Sequence, residues 1–78
     1  MATLRLFGPA RDAAGISRVA LSGKRVCDVI AVAEAQFGEE FSRIVAISNI
    51  WLNGESADPD APVNDGDEVA VLPPVSGG

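Results

Sequence analysis

Apolar and polar positions alternate at the start of the chain. In "TLRLFG", Leu4 and Leu6 fall on one face and Thr3, Arg5 and Phe7 on the other, the period of a half-buried strand. "PARDAAG" breaks the alternation and predicts a short turn or single helical turn, opened by Pro9 and stopped by Gly15. "SRVAL" resumes the period of two, with Val19 and Leu21 inward. From Ser22 the period changes. In "SGKRVCDVIAVAEAQFG", Val26, Ile30, Ala33 and Phe37 recur at helical spacing, Val29 widens the stripe, and Gly38 supplies a stop. "EEFSRIVAIS" has room for a short helical turn before the chain extends again. "NIWLNGE" then predicts a third strand, with Ile50 and Leu52 on one face, Trp51 on the other and a tight turn at Asn53-Gly54. "SADPDAPVNDGD" is too polar and too broken by proline for an element, and "EVAVLP" is the last strand, closed by Pro73.

The predicted order is β-β-α-β-β. One helix with one apolar stripe must bury it against one sheet, which gives a two-layer α+β domain. A helix crossing between the second and third strands is compatible with a ubiquitin-like β-grasp: a mixed sheet packed on one main helix, the first and last strands parallel at its centre. The domain then spans residues 1–72, and 73–78 form an extended, flexible C-terminal tail.

Composition narrows the chemistry. With no histidine and one cysteine, the chain has no histidine general base, no internal disulfide and no multi-cysteine metal site. A net charge of −5 argues against nucleic acid as a partner. No run approaches the roughly 20 apolar residues of a membrane span, and none at the start has signal-peptide length. A soluble cytoplasmic protein, without membrane partner, is the expectation, and the unpaired cysteine suits a reducing compartment. The charge is also unevenly spread. All six basic residues lie at or before Arg43, and the six acids beyond it have no basic neighbour in sequence. That half of the chain reads either as a solubility feature or as an acidic surface steered toward a basic partner, in which case raised salt slows association.

Few residues are candidates for chemistry. Cys27 lies near the start of the main helix, where the dipole favours a thiolate, but nothing is present to activate it, and a packing role is the stronger reading. Asp58, Asp60, Asp65 and Asp67 lack the ligand spacing and closing glutamate of a calcium loop, and "NDGDE" reads as a turn entering the last strand. No metal or bound cofactor is expected. Arg5, Phe7 and Trp51, with Thr3, share the sheet face away from the helix. In a domain this small that face has no second layer to cover it, so they are read as a partner-binding surface.

The tail has physics of its own. Pro73-Pro74 gives a stiff departure, and the six residues from Pro73 through Val75 and Ser76 to Gly78 reach about 20 Å when extended. Gly77 and Gly78 lack a Cβ, so the tip fits a channel that any side chain would block. The α-carboxylate at the end is a poor nucleophile and needs activation by another protein, so the chain reads as a carrier and not as a catalyst by itself.

"LFGPARDAAG" and "VNDGDEVAVLPPVSGG" resemble the small subunit of molybdopterin synthase, a family of ubiquitin-like sulfur carriers. The likeness rests on Arg11-Asp12-Ala13-Ala14-Gly15, Leu52-Asn53-Gly54, Asp65 to Ala70 and Pro73 to Gly78. It implies a β-grasp fold and a cycle. A ubiquitin-activating-type enzyme adenylates the Gly78 carboxylate with ATP, and a sulfur donor protein converts the adenylate to a covalent thiocarboxylate. The tail then enters the large synthase subunit, in a heterotetramer, and its sulfur passes to cyclic pyranopterin monophosphate to build the dithiolene of the molybdenum cofactor. The same terminus fits sulfur carriers for thiamine or cysteine biosynthesis, and a ubiquitin-like modifier joined to target lysines.

Overall fold

The computed structural model describes residues 1–74. The alternation at the start becomes strand β1 (Ala2–Leu6), in which Ala2, Leu4 and Leu6 are buried. Helix α1 (Gly8–Ala14) follows, then β2 (Arg18–Leu21), α2 (Val26–Phe37), α3 (Glu39–Ala46), β3 (Asn49–Leu52), β4 (Glu55–Ser56) and β5 (Glu68–Leu72). The strands form one sheet in the order β2-β1-β5-β3-β4. The first and last strands are its centre and run parallel, Leu4 opposite Val69 and Leu6 opposite Val71. The connecting helices cover one face. Leu4, Leu6, Val69 and Val71 meet Val26, Val29, Ile30 and Ala33 of α2 in a single core that leaves the other face open.

Two segments hold more helix than their patterns predict. The expected turn at Pro9 is a seven-residue helix, closed by Gly15 in the left-handed conformation with its N–H donated to the Arg11 carbonyl. The expected short turn in "EEFSRIVAIS" is the eight-residue α3, and Phe41 within it is wholly buried. Helix α2 remains the main helix on the sheet, and α3 packs on α1 and α2 beside it. Shortness hid α3: Phe41, Ile44 and Val45 sit at helical spacing, but over only two turns. Phe41 packs edge-on against Phe37 across the bend at Gly38, with ring centroids 5.2 Å apart. Glu39 and Glu40 complement the positive N-terminal end of α3. The edge strand β4, two residues long, is likewise absent from the predicted order; Asn53-Gly54, both at positive φ, turn the chain into it.

The polar loop before β5 stays irregular and works as a clamp. Its Ala61 and Pro59 carbonyls accept the N–H groups of Val26 and Cys27, the first amides of α2, at 3.0 and 2.9 Å. Gly23, just before this helix, has no room for a side chain: an added Cβ lies 2.7 Å from Val29 Cγ2 and 2.8 Å from the Val29 backbone nitrogen. Gly23→Ala is therefore expected to cost about 1–3 kcal/mol. Chemical denaturation checks this, and an unchanged midpoint refutes it.

"NDGDE" is a turn, as its composition predicts. The Asp67 carboxylate accepts the Asn64 N–H at 2.8 Å, and the Gly66 N–H is donated to the Met1 carbonyl at 3.1 Å. Asp65 accepts from the N-terminal ammonium at 2.6 Å, and that hydrogen bond, helped by the charge itself, holds its carboxyl below the ordinary range. A lowered folded-state pKa stabilises above the unfolded value and is lost as pH falls through the folded one. The stability difference between wild type and Asp65→Asn, small for so exposed a pair, is expected at neutral pH and should vanish in acid. Unfolding curves at the two pH values measure it; a difference that persists in acid contradicts the pairing.

Candidate functional site

Strand β5 is hydrogen-bonded on both sides, to β1 and to β3, until Leu72 opposite Asn49. Pro73 and Pro74 follow, and neither has an N–H with which to continue a ladder. The chain thus leaves the sheet from its central strand, the part held by most hydrogen bonds. Pro73 is half-buried and Pro74 exposed. Val75, Ser76, Gly77 and Gly78, the tip expected to carry the chemistry, lie outside the described residues.

The register shows what surrounds this exit. One row of the open face crosses all five strands as Arg18, Arg5, Ala70, Trp51 and Ser56. Arg5 and Trp51 thus share a face, two strand spacings or roughly 10 Å apart. Continuing the β1–β5 register by one residue brings Phe7 beside Leu72. Phe7 belongs to no strand; it is the extended residue that caps α1. The Arg5 guanidinium lies 5.1 Å from the Phe7 ring centre and 3.5 Å from the Glu68 carboxylate. Trp51 is 38% exposed, enough to offer a large apolar contact. Phe7, Leu72, Ala70 and Trp51 make an apolar band directly beside the tail's point of departure.

Leu72 and Ala70 were not among the residues expected to bind a partner. The signal for them is in "EVAVL": with Val69 and Val71 buried, Glu68, Ala70 and Leu72 must face outward. The turn residue Asn53 is tied to β5 as well. Its N–H is donated to the Glu68 carbonyl at 2.8 Å, and its Oδ1 accepts the Glu68 N–H at 2.9 Å.

Cys27 lies on α2, on the helix-covered side of the sheet. It is half-buried beside a groove of about 390 Å³ with Ile30, Glu34, Val45, Ile50 and Pro59. The amides that begin α2 are occupied by the loop carbonyls, and the polar contact of Sγ is the Asp28 carboxylate at 4.0 Å. Packing is the role this setting supports. Among the described residues, no three cysteine, aspartate or glutamate side chains converge as a metal site, and no helix is long and apolar enough to cross a membrane.

A mixed five-stranded sheet wrapped on helices, with a central C-terminal strand that runs out of the fold, defines a ubiquitin-like β-grasp protein. The sequence model of the ThiS family matches residues 4–78, and the chain belongs to that family. Solved structures agree. The chain is 30% identical to SAMP1 from Haloferax volcanii, with TM-score 0.83, covering 99% of this chain and 98% of that one. It is 32% identical to a putative molybdopterin converting factor, subunit 1, from Pyrococcus furiosus, with TM-score 0.79 and coverages of 95% and 97%. A chain of the BexX/CysO complex of Amycolatopsis orientalis is similar over the whole length of both, at 26% identity and TM-score 0.85.

Proposed function

We propose that this chain is the sulfur carrier of molybdopterin synthase, working through the carboxylate of Gly78. The observation that carries the reading is the exit of β5: the central strand ends at Pro73-Pro74 beside an apolar band of half-buried Phe7, Leu72 and Ala70 and exposed Trp51. A partner that docks on this band receives the tail in a fixed direction, and the fixed base is what makes a reach of about 20 Å useful. The sequence ending "DGDEV" and "PPVSGG" supports molybdopterin synthase as the acceptor complex, as does the likeness to the Pyrococcus protein.

The chemistry follows from the weak reactivity of a carboxylate. Its oxygen attacks the α-phosphorus of ATP in the activating enzyme and pyrophosphate leaves. The donor protein's persulfide sulfur then attacks the acyl carbon and AMP leaves, giving an acyl disulfide. A second thiol attacks the donor's own sulfur, forming a disulfide with it and releasing the Gly78 thiocarboxylate. Inside the large subunit the thiocarboxylate sulfur attacks a carbon of the pterin precursor and an oxygen leaving group departs. Hydrolysis of the resulting thioester leaves the sulfur on the pterin and returns the Gly78 carboxylate. This chain contributes the docking band, the stiff lead-in of Pro73 and Pro74, the reach of Val75 and Ser76, and the thin tip of Gly77 and Gly78.

The test is an intact-protein mass after incubation with ATP, an activating enzyme and a sulfur source. One oxygen replaced by one sulfur is the expected gain, and adding the large subunit with the pterin precursor should consume it. A thiocarboxylate that forms but is never consumed there refutes the pathway. Higher-mass conjugates on lysines point instead to a modifier.

A further inference from the structure

Half of this acidic protein's basic residues are gathered in one place. Arg5 from β1, Arg11 from α1 and Arg18 from β2 line a single pocket of about 400 Å³, together with Phe7 and Ser17. Arg5 and Arg18 are direct cross-strand partners, an arrangement that places like charges on the same face and opposes folding. Only Arg5 has a carboxylate within 4 Å among the described residues, from Glu68; Arg11 and Arg18 have none, although Asp12 follows Arg11 in sequence. Arg11 and Arg18 are exposed. Three elements thus converge three arginines on one hollow, one of them paired with a carboxylate among the described residues, against a net charge of −5.

Its position is as informative as its charge. Phe7 lines the pocket and also stands beside Leu72, so the hollow borders the base of the tail. The acids Asp65 and Asp67 lie at the opposite end of β5, where the chain enters the sheet, while Glu68, the first residue of the strand, reaches Arg5 at 3.5 Å. Arg11 and Arg18 thus give the hollow beside Phe7 a basic character, although the sequence that leads to the exit is acidic.

We infer that the pocket formed by Arg5, Arg11 and Arg18 binds an acidic segment, aspartate or glutamate side chains, of the protein that receives the tail. This rests on the carrier reading above for the partner's role, but not for the binding itself. Guanidinium groups grip carboxylates in pairs of parallel hydrogen bonds, and such contacts set orientation and the rate of encounter. A contact at the tail's base fixes the direction in which the tail is fed. The nucleotide that activates the terminus sits too far along the extended tail to be the anion in question, about 20 Å from its base.

The free protein allows a direct test. A blocked peptide of consecutive glutamates should shift the backbone amide resonances of Arg5, Arg11, Ser17 and Arg18, whereas the glutamine peptide should not. The shifts should vanish in the double variant Arg11→Glu, Arg18→Glu. That variant should unfold at the same temperature as wild type or higher, because Arg18→Glu sets a carboxylate opposite Arg5 in place of a like charge. With a tail-receiving partner its apparent KM should rise about ten- to hundred-fold, and Arg11→Lys with Arg18→Lys should restore part of the loss. Shifts produced by inorganic phosphate but not by the glutamate peptide overturn the inference in favour of a small-anion site. A variant that unfolds well below wild type overturns it too, since the arginines would then serve folding. If wild type never gains sulfur, the carrier reading falls while the peptide titration still decides this one.

Discussion

Deleting Gly78, or adding one residue after it, is expected to abolish the ATP-dependent gain of sulfur while leaving the unfolding midpoint unchanged. The two effects separate because the described core ends at Val71, with Leu72 and the prolines outside it. Either change moves the carboxylate by one residue, about 3.3–3.6 Å along an extended chain, where a misplacement of 1 Å already costs about a hundredfold. Gly78→Ala keeps the length and adds only a methyl group, so it should impair transfer without abolishing it. Mass spectrometry of each variant with the activating enzyme and sulfur source reads the outcome. Wild-type sulfur loading in the extended chain removes the terminus from the chemistry.

Truncating Phe41 to alanine is expected to cost about 3–5 kcal/mol. A chain of 78 residues has about 4–12 kcal/mol in total, so much of the variant should be unfolded at physiological temperature. Phe41 is wholly buried, holds α3 against the core and meets Phe37 across the Gly38 bend. Helix α1 packs on α3, so the pocket that borrows Arg11 should loosen with it. Urea denaturation measures the loss; a cost under about 1 kcal/mol places Phe41 outside the residues that decide stability.

Much of this protein was legible in its sequence, because strands and the longest helix state their own period. Leu4 with Leu6, Val69 with Val71, and Val26 to Ala33 are apolar at the spacing their elements demand and are buried where the stripe faces inward. Val19, Phe37, Ile50 and Leu52 are half-buried against the core. Asn53-Gly54 and "NDGD" supplied their turns through residues that tolerate positive φ or bond to their own backbone. The tail's proline pair likewise acts locally, ending the ladder after Leu72. What the pattern left out depends on distant partners. Helix α3 is only two turns long, so its stripe of Phe41, Ile44 and Val45 is too short to separate a helix from a turn, and it is held by the burial of Phe41 among residues from elsewhere. The parallel pairing of β1 with β5 joins residues more than sixty positions apart, and no local period records it. That pairing sets Phe7 beside Leu72. With β2 folded back against β1, it also brings Arg5, Arg11 and Arg18 to the base of the tail. The sequence by itself determined which residues each element would bury and where the chain would turn. Only the tertiary structure decided that a basic pocket and an apolar band share the exit of an acidic chain, because adjacency across a sheet is fixed by register and not by order along the chain.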